Sequence, residues 1–396
     1  MAKDLKPHIG IFGRRNSGKS SLINALTGQN TAIVSDIAGT TTDPVKKSVE
    51  IFGLGPAIIV DTAGIDDIGP LGKLRIEKSL AVINQIDLAI LVFTHNEFTE
   101  YEQHLISQFK AINTPFTLLH NKSDLEPLNA EFTQKIKQEL NLDILDNSVN
   151  SENDITKLIE QLKEQIPASV YLKPSLFKGF VKKGDTVVLV TPIDSEAPEG
   201  RMILPQVMAI RDALDQDCIC VVLKETQLDD YLKTNSKIAL VVTDSQAFGL
   251  VSKIVPEHIP LTGFSVLFSR IKSDFNAVLQ GTKNIDNLKD GDRILILESC
   301  THQVSCDDIG RFKLPNWIRE YTGKNIEIDI VSGLQDFEEK LNNCAMVIQC
   351  GGCVATQKQI QNRLQQAIDR QIPVSNYGMA IAFVNGVFNR ATQILN

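Results

Sequence analysis

The chain has 396 residues, of which 43% are apolar, and a formal net charge of −8. That length suits two or three domains with real cores, and the acidic balance excludes a primarily nucleic-acid-binding protein, whose phosphate contacts need clustered Lys and Arg. No apolar run approaches 18 residues and Met1-Ala2-Lys3-Asp4-Leu5-Lys6 lacks a signal-peptide pattern, so no membrane span or export is expected, the cytoplasm is the expected location, and the seven cysteines are expected as thiols, metal ligands or redox groups rather than disulfides.

The first element is a short buried strand, Ile9-Gly10-Ile11-Phe12, followed by Gly13-Arg14-Arg15-Asn16-Ser17-Gly18-Lys19-Ser20 and a helix that begins Ser21-Leu22-Ile23. The eight residues match G-x-x-x-x-G-K-[ST], in the strand–loop–helix context that a phosphate-binding P-loop requires. Backbone N–H groups of Gly13, Asn16, Ser17 and Gly18 can cradle phosphate oxygens, helped by the positive end of the helix dipole. Lys19 is expected on the β- and γ-phosphates and Ser20 on Mg²⁺, with Ser21 counted among the nucleotide-binding residues.

Further along, Gly39-Thr40-Thr41-Thr42-Asp43 reads as a switch I segment whose Thr41 completes the Mg²⁺ coordination when nucleotide is bound. Asp61-Thr62-Ala63-Gly64 follows the apolar run 57–60, so Asp61 can hold the Mg²⁺ shell through water and Gly64 can donate its N–H to the γ-phosphate. Lys19, Thr41 and Gly64 are the expected catalytic contributors. Asn121-Lys122-Ser123-Asp124 follows the strand-like run 116–120, and the Asp124 carboxylate can accept both guanine donors, N1–H and the 2-amino group. Adenine lacks that pair, so the site selects GTP. Ser148-Val149 is the weaker fifth element, expected at the guanine O6.

Residues 7–165 resemble the TrmE–Era-type family of translation-factor-class GTPases, on the P-loop, G-T-T-x-D, D-T-A-G and N-K-x-D. The residue after D-T-A-G is Ile65, where Ras-like relatives have the Gln that orients water, so slow intrinsic hydrolysis is expected. The family's acidic residue downstream of switch II is not matched in register by Asp66, Asp67 or Glu77, and no general base is assigned. The resemblance also implies that Asn16 helps hold a K⁺ ion near the phosphates, where it does the electrostatic work of an arginine finger.

Residues 1–167 are thus expected to form a P-loop GTPase domain of α/β class, with a mostly parallel sheet flanked by helices. Residues 168–183 read as a linker. Residues 184–260 read as a small α/β domain with strands near 186–190, 219–223 and 238–242 and helices near 204–214 and 226–234. So small a core gains either by packing against a neighbouring domain or by joining its sheet edge to a second copy; the second makes this the expected homodimerisation domain. Cys218 and Cys220 are read there as small buried hydrophobes on opposite faces of a strand.

Residues 261–396 form a third α/β region, with a helix over 265–279, strands at 293–298, 326–331 and 345–349, and a helix over 356–370. Cys300-Thr301-His302 and Cys350-Gly351-Gly352-Cys353 each follow a strand, at the carboxyl ends where open α/β sheets build their crevices. The 47 residues between the two groups suit a helix, a strand and a second helix, which brings the groups together if their strands are neighbours. The glycines permit close approach and leave N–H groups for sulfur. From residue types alone a Cys₃His zinc site, a [4Fe–4S] cluster and a redox dithiol at Cys350–Cys353 all remain open.

With the GTPase motifs, this C-x-H and distant C-x-x-C resemble the HydF family of GTPase maturation factors for [FeFe]-hydrogenase over the full length. The resemblance implies a scaffold that binds a [4Fe–4S] cluster through Cys300, Cys350 and Cys353, with His302 as the C-x-H histidine. The fourth iron site would be held weakly by His302, Asp307 or Cys306 so that it can accept a di-iron cluster precursor. Radical-SAM maturases and apo-hydrogenase are the implied partners. Cys306 and Cys344 match no motif position and are read as structural. Two other readings are a ribosome- or RNA-associated assembly GTPase with a zinc domain, and a redox-sensing GTPase.

Overall fold

The structure is a computed structural model that describes residues 6–28, 44–62, 64, 70–167, 175–192, 202–299, 309–352 and 355–395. The chain divides into two compact units, Met1–Lys173 and Pro174–Asn396.

The first unit is built on β1 (His8–Phe12), β2 (Val45–Ile51), β3 (Gly55–Asp61), β4 (Leu88–Phe93), β5 (Phe116–Asn121) and β6 (Ile144–Asn147). These form one sheet in the order β2-β3-β1-β4-β5-β6, parallel except for the β2–β3 hairpin. Burial follows position. Every residue of β1 and β4 is buried, as the continuous runs HIGIF and LAILVF require of central strands covered on both faces. β2 alternates half-buried with exposed residues, as suits an edge strand. One face packs Ile11, Leu22 and Leu158; the other packs Phe12, Val60 and Phe109. Gly10 in β1 is a packing requirement, because a Cβ there would lie 2.6 Å from the Phe12 ring and 2.8 Å from Ile86.

The second unit holds two four-stranded sheets. The first contains β7 (Thr186–Val190), β8 (Ile219–Leu223), β9 (Leu240–Thr243) and β10 (Leu261–Gly263), in the order β10-β9-β7-β8. The second contains β11 (Arg293–Leu297), β12 (Glu327–Val331), β13 (Met346–Gln349) and β14 (Val374–Asn376), in the order β12-β11-β13-β14. All their pairings are parallel. A continuous apolar core runs through both, including Val188, Phe248, Val266, Leu295 and Val347.

Several expectations change here. The segment expected as a linker over 168–183 contributes two core residues: Leu176 and Phe177 are fully buried against Val187, Leu189 and Leu267. Pro174 made the stretch read as a linker and hid two large apolar side chains. A boundary at 260 cuts the first sheet, since β10 pairs with β9 through Leu261↔Val241 and Gly263↔Thr243. Three residues are too few to show a strand period. The helix over 265–279 is two helices, Phe264–Lys272 and Phe275–Thr282, broken at an extended Ser273, with Asp274 capping the Ala277 N–H. Cys218 and Cys220 pack against one and the same core cluster, because residues two apart on a strand share a face.

Between β11 and β13 lie a π turn (Ile309–Lys313), a helix (Leu314–Thr322), β12, and a short 3₁₀ turn (Glu338–Leu341) in place of the second helix. β11 and β13 are nonetheless direct neighbours, with Ile294↔Met346 through Leu297↔Gln349 in register. No helix among the described residues is long and apolar enough to cross a membrane.

Replacing Phe177 with Ala removes a fully buried ring and should cost about 3 kcal/mol or more. Urea denaturation of the whole chain checks this; a linker residue would leave the transition unmoved.

Candidate functional site

The P-loop turns at the carboxyl end of β1. Gly13 (φ 148°) and Gly18 (φ 89°) occupy conformations that disfavour a side chain, and Asn16 sits at φ 59°. Space enforces the same choice. A Cβ on Gly13 would lie 2.2 Å from the Val92 carbonyl oxygen, and one on Gly18 would lie 2.3 Å from Asn121 Nδ2. Lys19 opens the helix Lys19–Thr27, and its Nζ donates to the carbonyls of Gly13 (2.9 Å) and Arg14 (2.7 Å). The ammonium is thereby folded over the loop that it would share with phosphate. Ser17 Oγ is buried with no hydrogen-bond partner, the kind of orphan that a bound ligand satisfies. Ser20 and Ser21 are half-buried in the first turn, and Asn16 is exposed at the loop tip.

Arg14 ties the loop down from outside. Its Nε donates to Glu102 Oε1 at 2.9 Å, and the fully buried Glu102 also accepts from the N–H and hydroxyl of Thr99 through Oε2. Sequence reading missed this pair, because 88 residues separate its members.

Asp61 ends β3, and burial pushes its carboxyl up, an effect that Lys19 and Lys47 oppose. A carboxylate held against burial suits a cation shell, so Asp61 and Ser20 are the described residues that would hold Mg²⁺. Thr62 anchors the strand end through its hydroxyl, 2.7 Å from the Ile11 carbonyl oxygen. Gly64 is half-buried beside it. Thr41, Ile65, Asp66 and Asp67 lie outside the described residues, as does the side chain of Glu77.

The base-reading side forms where β5 and β6 end together. Asn121 is buried, and its amide donates to the Ser17 carbonyl (2.9 Å) while its oxygen accepts from Asn147 (3.0 Å). Asn121 is therefore a brace between the P-loop and the base site. Lys122 adopts φ 66° and turns the chain toward Asp124. Ser148 donates to Asp124 Oδ1 (2.9 Å) and Asn150 Nδ2 donates to Oδ2 (3.1 Å). Those bonds, the Ser148 hydroxyl first, hold the carboxyl below its ordinary range, so it stays an acceptor. Val149 is half-buried alongside. Asn150 has no signature of its own in the motif.

In the second unit, the expected cysteine site falls at the carboxyl ends of β11 and β13. The Cys350 N–H donates to the Leu297 carbonyl (2.9 Å), and the Ser299 N–H donates to Cys350 Sγ (3.0 Å). Gln349 Nε2 reaches the same sulfur at 3.5 Å. N–H groups aimed at a cysteine sulfur are the surroundings that sulfur ligands of iron–sulfur sites have, so this residue fits an iron–sulfur or zinc ligand. Gly352 (φ 63°) leaves no room for a side chain, its Cβ position lying 2.7 Å from Ile360. The buried Lys272 donates to the Gly352 and Ala355 carbonyls (2.8 and 3.0 Å), fixing the turn from below. Cys300, His302, Cys306, Asp307 and Cys353 lie outside the described residues, and among the described residues no three His, Cys, Asp or Glu side chains converge as a metal set. Cys344 is half-buried, its thiol raised by burial and donating to the Met346 carbonyl, as befits a structural residue.

The loop, the strand-end carboxylate and the base clamp define a P-loop GTPase domain, and residues 8–122 match the family model described as 50S ribosome-binding GTPase. Residues 176–273 match the hydrogen maturase F dimerization domain, and residues 276–394 match the hydrogen maturase F tetramerization domain. The chain belongs to the hydrogen maturase F family, joined to a GTPase domain similar to those of MnmE proteins. The tRNA modification GTPase MnmE of Hydrogenovibrio crunogenus is 36% identical over 154 residues, which is 36% of this chain and 34% of that protein. Its counterpart in Clostridioides difficile is 35% identical over 193 residues, 47% of this chain and 38% of that protein. The chain therefore spans little more than a third of these curated relatives. Among solved structures, Aquifex aeolicus Era bound to GDP and AlF₄⁻ aligns with 59% of this chain and 99% of its own, at 17% identity and a TM-score of 0.36.

Asp61→Asn should stabilise the ligand-free protein at neutral pH. The folded carboxyl lies above its ordinary value of 3.8, so its ionisation opposes folding once pH rises past that value. Thermal unfolding of both proteins against pH should show no gap near pH 3, a gap opening as pH rises, and a plateau above the folded carboxyl's titration. A gap that widens toward acid would refute the burial account.

Proposed function

We propose that the first unit binds and hydrolyses GTP, and that the second unit holds a [4Fe–4S] cluster in a scaffold for building the di-iron site of [FeFe]-hydrogenase. The observation that carries the reading is Cys350. It stands one residue past β13, its sulfur takes the Ser299 N–H from the neighbouring strand end, and it lies inside the region matched by the hydrogen maturase F tetramerization domain. The G domain by itself does not select a client, because its MnmE relatives serve tRNA modification by their names.

The nucleotide chemistry follows from the groups present. Gly13 and Gly18 let the loop backbone approach the phosphates, and Lys19 exchanges its carbonyl partners for β- and γ-oxygens. Asp124, already ionised and held by Ser148 and Asn150, accepts the guanine edge. Mg²⁺ at Ser20, Thr41 and the Asp61 shell, and K⁺ at Asn16, would supply positive charge to the developing phosphate oxygens. Gly64 donates its backbone N–H at the γ-phosphate. With Ile65 in the water-orienting position, turnover is slow, which suits a switch better than a metabolic enzyme. Ordering of switch I through Thr41 would pass the nucleotide state to the rest of the chain, acting on partner capture or release.

On the metal side, Cys300, Cys350 and Cys353 supply thiolates. His302 or another exchangeable donor completes the set, leaving one iron able to accept the di-iron precursor. A [4Fe–4S] centre supplies an electron-accepting, sulfur-bridged iron site. Radical-SAM maturases and apo-hydrogenase are the partners in this reading. The working form is a cytoplasmic homodimer through the first sheet of the second unit. β8 is an edge of that sheet, with Ile219 56% and Val222 41% exposed, and Val207 and Leu214 are exposed on the helix Leu204–Asp215. An apolar edge strand left bare invites a second copy.

Anaerobic reconstitution followed by iron, sulfide and zinc analysis with EPR tests the scaffold. About four iron and four sulfide per chain are expected, with the reduced signal lost in Cys300→Ala, Cys350→Ala and Cys353→Ala. One tight zinc and no cluster would leave the assembly-GTPase reading instead. GTP hydrolysis should be faster in K⁺ than in Na⁺ and absent in Lys19→Ala. Ile219→Lys should move the protein toward monomer by sedimentation velocity at unchanged GTPase rate; an unmoved distribution would place the dimer contact elsewhere.

A further inference from the structure

Beside Cys350 lies a buried arginine that the motifs do not announce. Arg363, in the helix Gln357–Ile368, is 6% exposed. One of its nitrogens is committed: Nη1 donates to the carbonyls of Gly333 (2.6 Å) and Glu298 (3.2 Å). Its other two, Nε and Nη2, are buried with no hydrogen-bond partner. Phe337 covers it, with the guanidinium carbon 5.4 Å from the ring centroid.

A buried guanidinium normally has a carboxylate. Here the nearby carboxylate is already taken. Glu298, 3% exposed, receives Arg311 on both oxygens (3.1 and 2.8 Å) and the Ser332 hydroxyl (2.9 Å). Arg363 meets only the backbone carbonyl of Glu298. Burial pulls its guanidinium down to about 10, and the acidic group acting in the other direction is Cys350. The Glu298 carbonyl that pins Arg363 adjoins the Ser299 N–H that bonds the Cys350 sulfur. The guanidinium is thus fixed through the backbone segment that bonds the Cys350 sulfur.

We propose that Arg363 is the charge-compensating donor of the cysteine site: the unpartnered N–H groups of its Nε and Nη2 and its positive charge serve the sulfur-rich anion held at Cys350. This rests on the iron–sulfur reading above. A cluster ligated by thiolates is anionic, and each electron added makes it more so. A fixed cation with free N–H donors stabilises the reduced form and raises the reduction potential. Arg363 is a positioning and tuning residue, not a ligand.

EPR-monitored redox titration of the reconstituted full-length protein tests this, with Arg363→Gln and Arg363→Lys beside wild type, iron content and melting temperature recorded for each. The expected result is a midpoint shifted to more negative potential in Arg363→Gln. Arg363→Lys, which keeps the charge and loses the fork, should shift less in the same direction and serves if the Gln variant folds poorly. Unshifted midpoints in folded variants with wild-type iron content would overturn the assignment and leave Arg363 a packing residue. Failure of wild type itself to assemble a cluster would instead overturn the iron–sulfur reading, and this proposal with it.

Discussion

Parallel pairing of neighbouring strands fixes where chemistry can gather in this chain. Strands that run the same way end on the same edge, so the residues just past those ends meet without any loop having to reach far. In the first unit, β1, β3, β5 and β6 deliver the P-loop, Asp61, Asn121 and Ser148 to one edge. In the second, β11 and β13 run side by side in register from Ile294↔Met346 to Leu297↔Gln349, which leaves Ser299 and Cys350 adjacent. A slip of one residue would reverse the faces of β13 and carry the Cys350 sulfur away from the Ser299 N–H.

The sites are expensive in local terms. Asn16 and Lys122 hold left-handed backbone without being glycine, Ser17 Oγ and two Arg363 nitrogens lack partners, and Asp61 is raised by burial. Each left-handed residue and each buried group without a partner costs on the order of 1–3 kcal/mol. The surrounding sheets offset this with strands buried along their whole length, β1, β4 and β13 among them. Small braces then turn general stability into local precision. Asn121 bonds the Ser17 carbonyl and Asn147, and Arg14 bonds the buried Glu102. Loosening either brace would cost the sheet little and the loop geometry a great deal.

What could be read from the sequence divides along a physical line. Motifs made of backbone geometry and contiguous residues were legible: the glycines and Lys19 of the P-loop, Asp61 at a strand end, Asp124 after β5, and Cys350 after β13. Central strands were legible because they are apolar without interruption. Interactions between residues far apart were not. Arg14 and Glu102 lie 88 residues apart, and Arg363 and Glu298 lie 65 apart, so neither pair leaves a local pattern. A short element was missed for lack of a period, the three residues of β10. The stretch read as a linker failed differently, since Leu176 and Phe177 look unremarkable until the core that receives them is present.

The two sites solve the same electrostatic problem with opposite materials. A nucleotide brings its own negative charge, so the loop that receives it supplies backbone N–H groups and one mobile cation, Lys19, parked on the Gly13 and Arg14 carbonyls. Release of that lysine from two carbonyls is a small rearrangement, and it lets the loop hold its shape before any ligand arrives. At Cys350 the acceptor is a sulfur of the protein itself, and the groups that face it are already in place. The Ser299 N–H, the Gln349 amide and the buried Arg363 are all fixed by backbone or packing.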